Sequence, residues 1–476
     1  MKNALLLFRE KISLLTQKVG VFMIIRLTVE NFLSFNDKVE FLLTPSKVRS
    51  LKHHVIRGKK SRDLDILKSA IIYGANASGK SNLVKALSFL KNLVTRGVGG
   101  SKFIDYSKFK LDKDSKSRKS QVELEFHFLG VNYAYGVVFD HECIYEEWLY
   151  SFNKEKDYKI FERKTVDGEV EISFGDLKIT NEEKKRLEYI AFDTLPTELF
   201  LHASNHRNIS SIVGISPITD SYKWFTDILT IIYPSSKFAG IEINIDSNNE
   251  LKEVFQWFLS EFQTGISGLE TIKVDFFNSE VNIPQKVKNE VVENLDVGEV
   301  SVISSFDDIR YSILRREDGE IEAYKLVTKH TIRNSNEVTF FDINEESDGT
   351  QRLMDLIPVI MELSKEDKVF VIDEINRSLH PKLTYKLYEL FFNESIGIKS
   401  QLISTTHESE LLDQKLFRKD EIWFVDKNRY GESSVYSLEE FRPRKDKDIR
   451  TGYLKGRFDA IPNLVNVQSV PWKITK

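Results

Sequence analysis

The segment Gly74-Ala75-Asn76-Ala77-Ser78-Gly79-Lys80-Ser81 constrains this chain more than any other stretch. It satisfies G-x-x-x-x-G-K-[ST] at every fixed position, and its flanks supply the context such a loop needs. Ser69-Ala70-Ile71-Ile72-Tyr73 before it reads as a short buried strand. Residues 82–93 after it carry helical apolar spacing at Leu83, Ala86, Leu87 and Leu90. Glycines at such a turn let successive backbone N–H groups converge on phosphate oxygens, and the helix N-terminus adds its own attraction for an anion. Gly74, Asn76, Ser78, Gly79, Lys80, Ser81 and Asn82 are the candidate nucleotide contacts. In that role Lys80 reaches the β- and γ-phosphates and Ser81 ligates Mg²⁺.

A second constellation lies far downstream. Val369-Phe370-Val371-Ile372 is an apolar strand that ends in Asp373 and Glu374. Asp373 is the expected second metal residue, and Glu374 the group that orients and polarises an attacking water. Upstream of that strand, Ser347-Asp348-Gly349-Thr350-Gln351 opens a helix. Ser347 and Gly349 there either face an anion or belong to an ordinary N-cap. Gln401-Leu402-Ile403-Ser404-Thr405-Thr406 is a further strand and ends in His407, either a structural histidine or, as its place resembles the switch histidine of ABC-type ATPases, a γ-phosphate sensor. Ser378-Leu379-His380-Pro381 follows the Asp-Glu strand, and Gln121 starts a strand after the first lobe.

Composition removes several other classes. Of 476 residues, 41% are hydrophobic and 29% are charged, so the chain can bury a core and is not globally disordered. Cys143 is the single cysteine, which excludes an internal disulfide and a cysteine-built zinc or Fe–S cluster and fits a reducing, cytoplasmic setting. There is no run of about 20 apolar residues, so no membrane span is expected. With 68 Lys+Arg against 72 Asp+Glu, the charge does not suit a protein that coats nucleic acid. One local exception is residues 46–62, which hold Lys47, Arg49, Lys52, Arg57, Lys59, Lys60 and Arg62 and no acid. That segment reads as a solvated loop or as a contact for nucleic acid or an acidic partner.

The expected organisation has four parts. Residues 1–22 form an extension, an amphipathic helix or dispensable segment before Met23, where translation is expected to begin. Residues 23–175 form the first half of an ATPase head, with the phosphate loop and a β-meander. Residues 176–340 form an insertion or lobe, helical and then β, in which Leu251, Val254, Phe255, Phe258 and Leu259 make an apolar stripe read as core. Residues 341–476 complete the head.

The order of these motifs resembles that of ABC-type and SMC-like ATPases. Asn31-Phe32-Leu33-Ser34-Phe35, Glu147-Trp148-Leu149, Phe161-Glu162-Arg163, the run from Asp373-Glu374 to His380-Pro381, Thr405-Thr406-His407, Asp420-Glu421-Ile422-Trp423-Phe424 and Tyr453-Leu454-Lys455-Gly456-Arg457-Phe458 with Ala460-Ile461-Pro462 resemble one group in particular. These are the ABC-type AAA ATPases of prokaryotic anti-phage defence, the RloA-like, abortive-infection ATP/GTPase family, to which PARIS-type ATPases are related. Asp459 departs from that family, which tends to have glycine there.

The resemblance implies an α/β fold: an ABC-type P-loop ATPase head, a mixed sheet with flanking helices and an antiparallel β lobe, carrying a compact mainly helical insertion. It implies ATP and Mg²⁺ as ligands and homo-oligomers built by ATP-sandwich head dimers. In these Ser347 and Gly349 face the nucleotide of a neighbour, and Glu374 and His407 act on it. It further implies a separate toxic effector encoded nearby, a TOPRIM-like nuclease, and a phage-derived trigger. The competing expectation is an SMC-like DNA-binding repair or maintenance ATPase, which would show long coiled-coil arms. Residues 82–346 lack sustained heptads. A nuclease in the same chain is not expected, because the tail after His407 is short and still reads as ATPase.

Overall fold

The computed structural model describes residues 21–460, apart from 167, 208, 210, 211, 213, 238–240, 263, 366, 396 and 444–447. The expectations for residues 1–20 and for Ile461-Pro462 lie outside the described residues. The chain divides into two compact units: Met1–Tyr233, Leu363–Ile375 and Tyr388–Lys476 make the first, and Pro234–Glu362 with Asn376–Leu387 the second.

The first unit is built around a six-stranded sheet. In chain order its strands are β1 (Ser69–Tyr73), β2 (Leu229–Ile232), β3 (Val369–Ile372), β4 (Gln401–Thr405), β5 (Ile422–Lys427) and β6 (Ser433–Ser437). Their spatial order is β2-β3-β4-β1-β5-β6. The first five run parallel, and β6 returns antiparallel on β5. Every residue of β1, β3 and β4 is buried, the pattern of parallel strands covered on both faces. Helix α1 (Lys80–Arg96) follows β1 directly and buries Leu83, Val84, Leu87 and Leu90 in a core shared with Ile72 and Val371.

The same core includes residues of a seven-stranded antiparallel meander. Its order runs Glu169–Phe174, Asp157–Val166, Ile144–Phe152, Val131–Phe139, Ser120–Phe128, Met23–Glu30, Val39–Leu42. Ser120–Phe128 alternates strictly between buried and half-buried positions, as one strand with a single core face must. Gln401 ties the two sheets. At an irregularity of register after Ile24, its Oε1 accepts the Ile24 N–H at 2.7 Å. Its Nε2 donates to the Ile24 and Leu67 carbonyls at 3.0 and 2.9 Å. A buried carboxamide thereby satisfies backbone groups that the irregular strand leaves open.

Residues 180–270 read as mostly helical, and Asn181–Phe192, Phe200–His206 and Ser216–Lys223 are helices of this unit. Leu229–Ile232 is instead the strand β2, entered from a π-helical turn at Trp224–Ile228. Its apolar run fits either period, and parallel pairing with β3 decides the outcome.

The second unit holds a five-stranded antiparallel sheet. Ile321–Thr331 pairs with Gly268–Val274, Arg310–Arg315 and Val338–Asp342, and Arg310–Arg315 pairs with Val300–Ser304. The short helix Gln285–Glu293 interrupts a stretch that reads as strands throughout. In the helix Asn249–Glu261, Val254, Phe255, Phe258 and Leu259 are buried, so most of that apolar stripe is core. Arg310 joins Glu242 (Nε–Oε1 2.5 Å) and Asp355 (Nη1–Oδ1 2.8 Å) in a nearly buried ion network.

Candidate nucleotide site

The loop between β1 and α1 is shaped by two close approaches. A Cβ on Gly74 would lie 2.3 Å from the Val425 carbonyl of β5, so only glycine lets the chain leave β1 this close to its neighbour. Gly79 has φ +116°, and a Cβ there would meet the hydroxyls of Ser433 and Ser34 at 2.4 and 2.8 Å. Ser34 and Ser433 brace the loop. Ser433 Oγ donates to the Ser78 carbonyl (2.5 Å) and lies 2.8 Å from Ser34 Oγ, which accepts from Asn82 Nδ2 at 2.8 Å. Asn82 is thus turned toward Ser34, Ser78 is buried within the loop, and Asn76 is exposed at its crest. Ser34 lies in the family-like opening, but its contact with the loop has no signature in sequence. Ser433 carried no signal at all.

Lys80 is buried, and its ammonium donates to the Gly74 and Ala75 carbonyls at 2.7 and 2.9 Å. Burial lowers its pKa, against the pull of Glu374 and Asp373. Ser81 Oγ donates to Asp373 Oδ1 at 3.2 Å, across 292 positions of sequence. Asp373 is itself buried, and the Thr405 hydroxyl donates to the same Oδ1 at 2.5 Å. Glu374 turns out of the strand with a left-handed φ of 50°. β4 lies between β1 and β3, so the phosphate loop, the Asp-Glu turn and the segment leading to His407 leave the same edge of the sheet. Loops at the carboxyl ends of parallel strands are where such sheets bind ligands. His407 is exposed, two residues beyond the end of β4.

The oxygen donors fit Mg²⁺. A serine hydroxyl and a carboxylate stand in direct contact, both hard ligands. Among the described residues no group of three His, Cys, Asp or Glu could hold a metal alone. An ion at Ser81 and Asp373 would take its remaining ligands from water and phosphate, as Mg²⁺ commonly does.

Ser347 and Gly349 lie in the second unit, at the start of helix α2 (Asp348–Lys365). Ser347 Oγ accepts the Thr350 N–H at 3.2 Å and touches the Thr350 hydroxyl at 2.9 Å, so it caps the helix. A Cβ on Gly349 would stand 2.7 Å from the Ser378 carbonyl, so this glycine permits a backbone approach to the segment after the Asp-Glu strand. Gln121 sits in the meander opposite Glu30 and Val138.

A family model described as "AAA domain, putative AbiEii toxin, Type IV TA system" matches residues 69–413. The chain belongs to this AAA family. The match begins at the first residue of β1 and ends just beyond His407, so it spans the phosphate loop, Ser347, Gly349, Asp373, Glu374 and His407. No curated protein matches the chain. Among solved structures, this AAA protein is similar to an SMC head bound to the C-winged helix domain of ScpA, at 14% identity and TM-score 0.38 over 88% of this chain and 99% of that one. It is also similar to the SMC head domain from Thermotoga maritima, at 12% identity and TM-score 0.33 over 87% and 98%. A Smc head with an extended coiled coil, bound to the C-terminal domain of ScpA derived from Pyrococcus furiosus, gives 14%, 0.37, 89% and 100%. Among the described residues no helix is long and apolar enough to cross a membrane.

Proposed function

We propose that this AAA protein binds and hydrolyses ATP, and that it uses the cycle to assemble and regulate an anti-phage defence complex. The observation that carries the reading is the contact between Ser81 and Asp373, with Lys80 and Glu374 beside it. In this reading Gly74, Asn76, Ser78, Gly79 and Asn82 shape and line the phosphate cradle, and Lys80 meets the β- and γ-phosphates. Ser81 and Asp373 would hold Mg²⁺, which would supply neutralisation of charge on the phosphate oxygens. Glu374 orients the attacking water and draws off its proton as the γ-phosphate leaves ADP, and His407 senses that phosphate. Ser347 and Gly349 of a neighbouring copy close the site, so ATP joins two heads and hydrolysis releases them. The partner is a separate effector encoded nearby, a TOPRIM-like nuclease, with a phage-derived trigger. The toxin and type IV system in the family's description support a toxic output of this kind.

The second reading is an SMC-like DNA-binding ATPase. Among the described residues between the phosphate loop and Ser347, the longest helix after α1 has 13 residues, which favours a compact lobe over coiled-coil arms. Native mass measurement tests the proposal: ATP should shift the chain to dimers or larger assemblies, and Lys80→Ala should remain unshifted and lose protection against phage. An unchanged mass with ATP, together with salt-resistant binding of bare DNA, would favour the second reading.

A further inference from the structure

We propose that Thr405 is a positioning residue of the nucleotide site: its hydroxyl fixes the Asp373 carboxylate and the Glu374 backbone in the arrangement that Mg²⁺-dependent nucleotide binding requires. The inference rests on the ATPase reading for hydrolysis and on geometry for the rest. Thr405 is the last residue of β4 and is fully buried. Its Oγ1 donates to Asp373 Oδ1 at 2.5 Å and accepts the Glu374 N–H at 2.8 Å. Its carbonyl accepts the Ile375 N–H at 3.1 Å. One residue therefore holds three successive residues of the turn that leaves β3.

Each contact has a separate consequence. The hydroxyl carries one proton, and that proton is committed to Asp373, so the hydroxyl is oriented to accept from Glu374. Ser81 Oγ reaches the same Asp373 oxygen at 3.2 Å, so Thr405 also sets the carboxylate against which the loop serine rests. The Glu374 backbone has φ 50°, a conformation that a side chain with a Cβ keeps only when its surroundings impose it. The bond from its N–H to Thr405 is such a constraint, and it determines where the Glu374 carboxylate starts from.

Valine matches the shape of threonine and supplies neither donor nor acceptor. In Thr405→Val the buried Asp373 oxygen loses its shortest hydrogen bond and the Glu374 N–H loses its partner. Partners that orient a metal ligand from behind typically change metal affinity or activity about 10- to 100-fold when removed.

The test titrates Mg²⁺ against the full-length chain at a fixed concentration of a fluorescent ATP analogue, and separately measures phosphate release. Thr405→Val should raise the Mg²⁺ midpoint about 10- to 100-fold. It should lower kcat at saturating Mg²⁺ with a smaller change in KM for ATP, and Thr405→Ser should recover most of both losses. A valine variant with the wild-type Mg²⁺ midpoint, or a serine variant as impaired as valine, overturns the assignment. If the valine form does not fold, Thr405→Cys replaces it, with a slightly smaller side chain and a weaker hydrogen-bonding group. A wild-type chain that binds the analogue with Mg²⁺ but releases no phosphate contradicts the ATPase reading, and the midpoints still decide Thr405. Nucleotide binding that ignores Mg²⁺ overturns the assignment outright.

Discussion

At the scale of single residues, the site depends on atoms that are missing as much as on atoms present. Gly74 brings the chain out of β1 within reach of the Val425 carbonyl, and this neighbour is backbone, which cannot rotate away. Gly74→Ala must push the loop off β5. It should destabilise the fold by about 1–3 kcal/mol, the usual cost of overpacking, and weaken nucleotide binding together with it. Thermal melting and nucleotide titration of the same variant check both effects. The motif residues were legible because the phosphate loop is a local device, written in consecutive positions. Thr405, Ser34 and Ser433 were not, because each acts across the fold on residues remote in sequence, the nearest about 30 positions away. Asp459 shows the reverse case. Its departure from glycine was visible in sequence, and its left-handed φ of 55° now supplies the reason glycine suits that place.

At the scale of elements, several family-like motifs turn out to hold the scaffold together. Glu147 is buried and accepts from Tyr135 Oη and from the Leu201 and Phe200 N–H groups at 2.9, 2.9 and 2.7 Å, with Arg163 3.5 Å away. It closes the start of the helix Phe200–His206. Burial pushes its carboxyl up despite Arg163 and those donors. A second buried tie joins His54, Glu421 and Ser69. Glu421 receives Ser69 Oγ at 2.8 Å and lies 2.8 Å from His54 Nδ1, linking the basic segment, β1 and the entry to β5. Part of that segment is thus structural, which its charge alone could not reveal.

Burial raises Glu421 to about 8, and burial, with Lys68 and Arg418, lowers His54 to about 3. The folded pair therefore holds one proton between its two members. Between 4.5 and 6.5 the unfolded pair also holds one, on histidine, so its contribution is flat there. From 6.5 to about 8 only the folded state keeps the proton, and stability falls as pH rises. Below 4.5, down to about 3, the unfolded state binds one more proton, and stability falls as pH drops. Glu421→Gln should reduce the loss between pH 6.5 and 8. Melting temperature against pH for the two proteins checks this, and equal slopes would contradict the buried proton.

At the scale of the whole molecule, one sheet collects residues that the chain scatters. β1 is followed by the phosphate loop, and β3, which leads into Asp373, enters almost 300 residues later with β4 between them. The α/β class and the split head were legible because buried parallel strands are apolar runs with characteristic ends. The edge strand β2 was not, since a four-residue strand after a π-helical turn has no period of its own. That Pro234–Glu362 and Asn376–Leu387 together make a compact unit follows from long-range contacts that sequence patterns do not express.

In the proposed function this collected site binds ATP and Glu374 drives its hydrolysis. The direct test is single-turnover hydrolysis by Glu374→Gln beside the wild-type chain and Lys80→Ala. Glu374→Gln should retain ATP and accumulate the closed assembly while phosphate release falls by about 100-fold or more, the scale of a lost acid–base group. Lys80→Ala should bind no nucleotide. Hydrolysis by Glu374→Gln at the wild-type rate would contradict this role for Glu374.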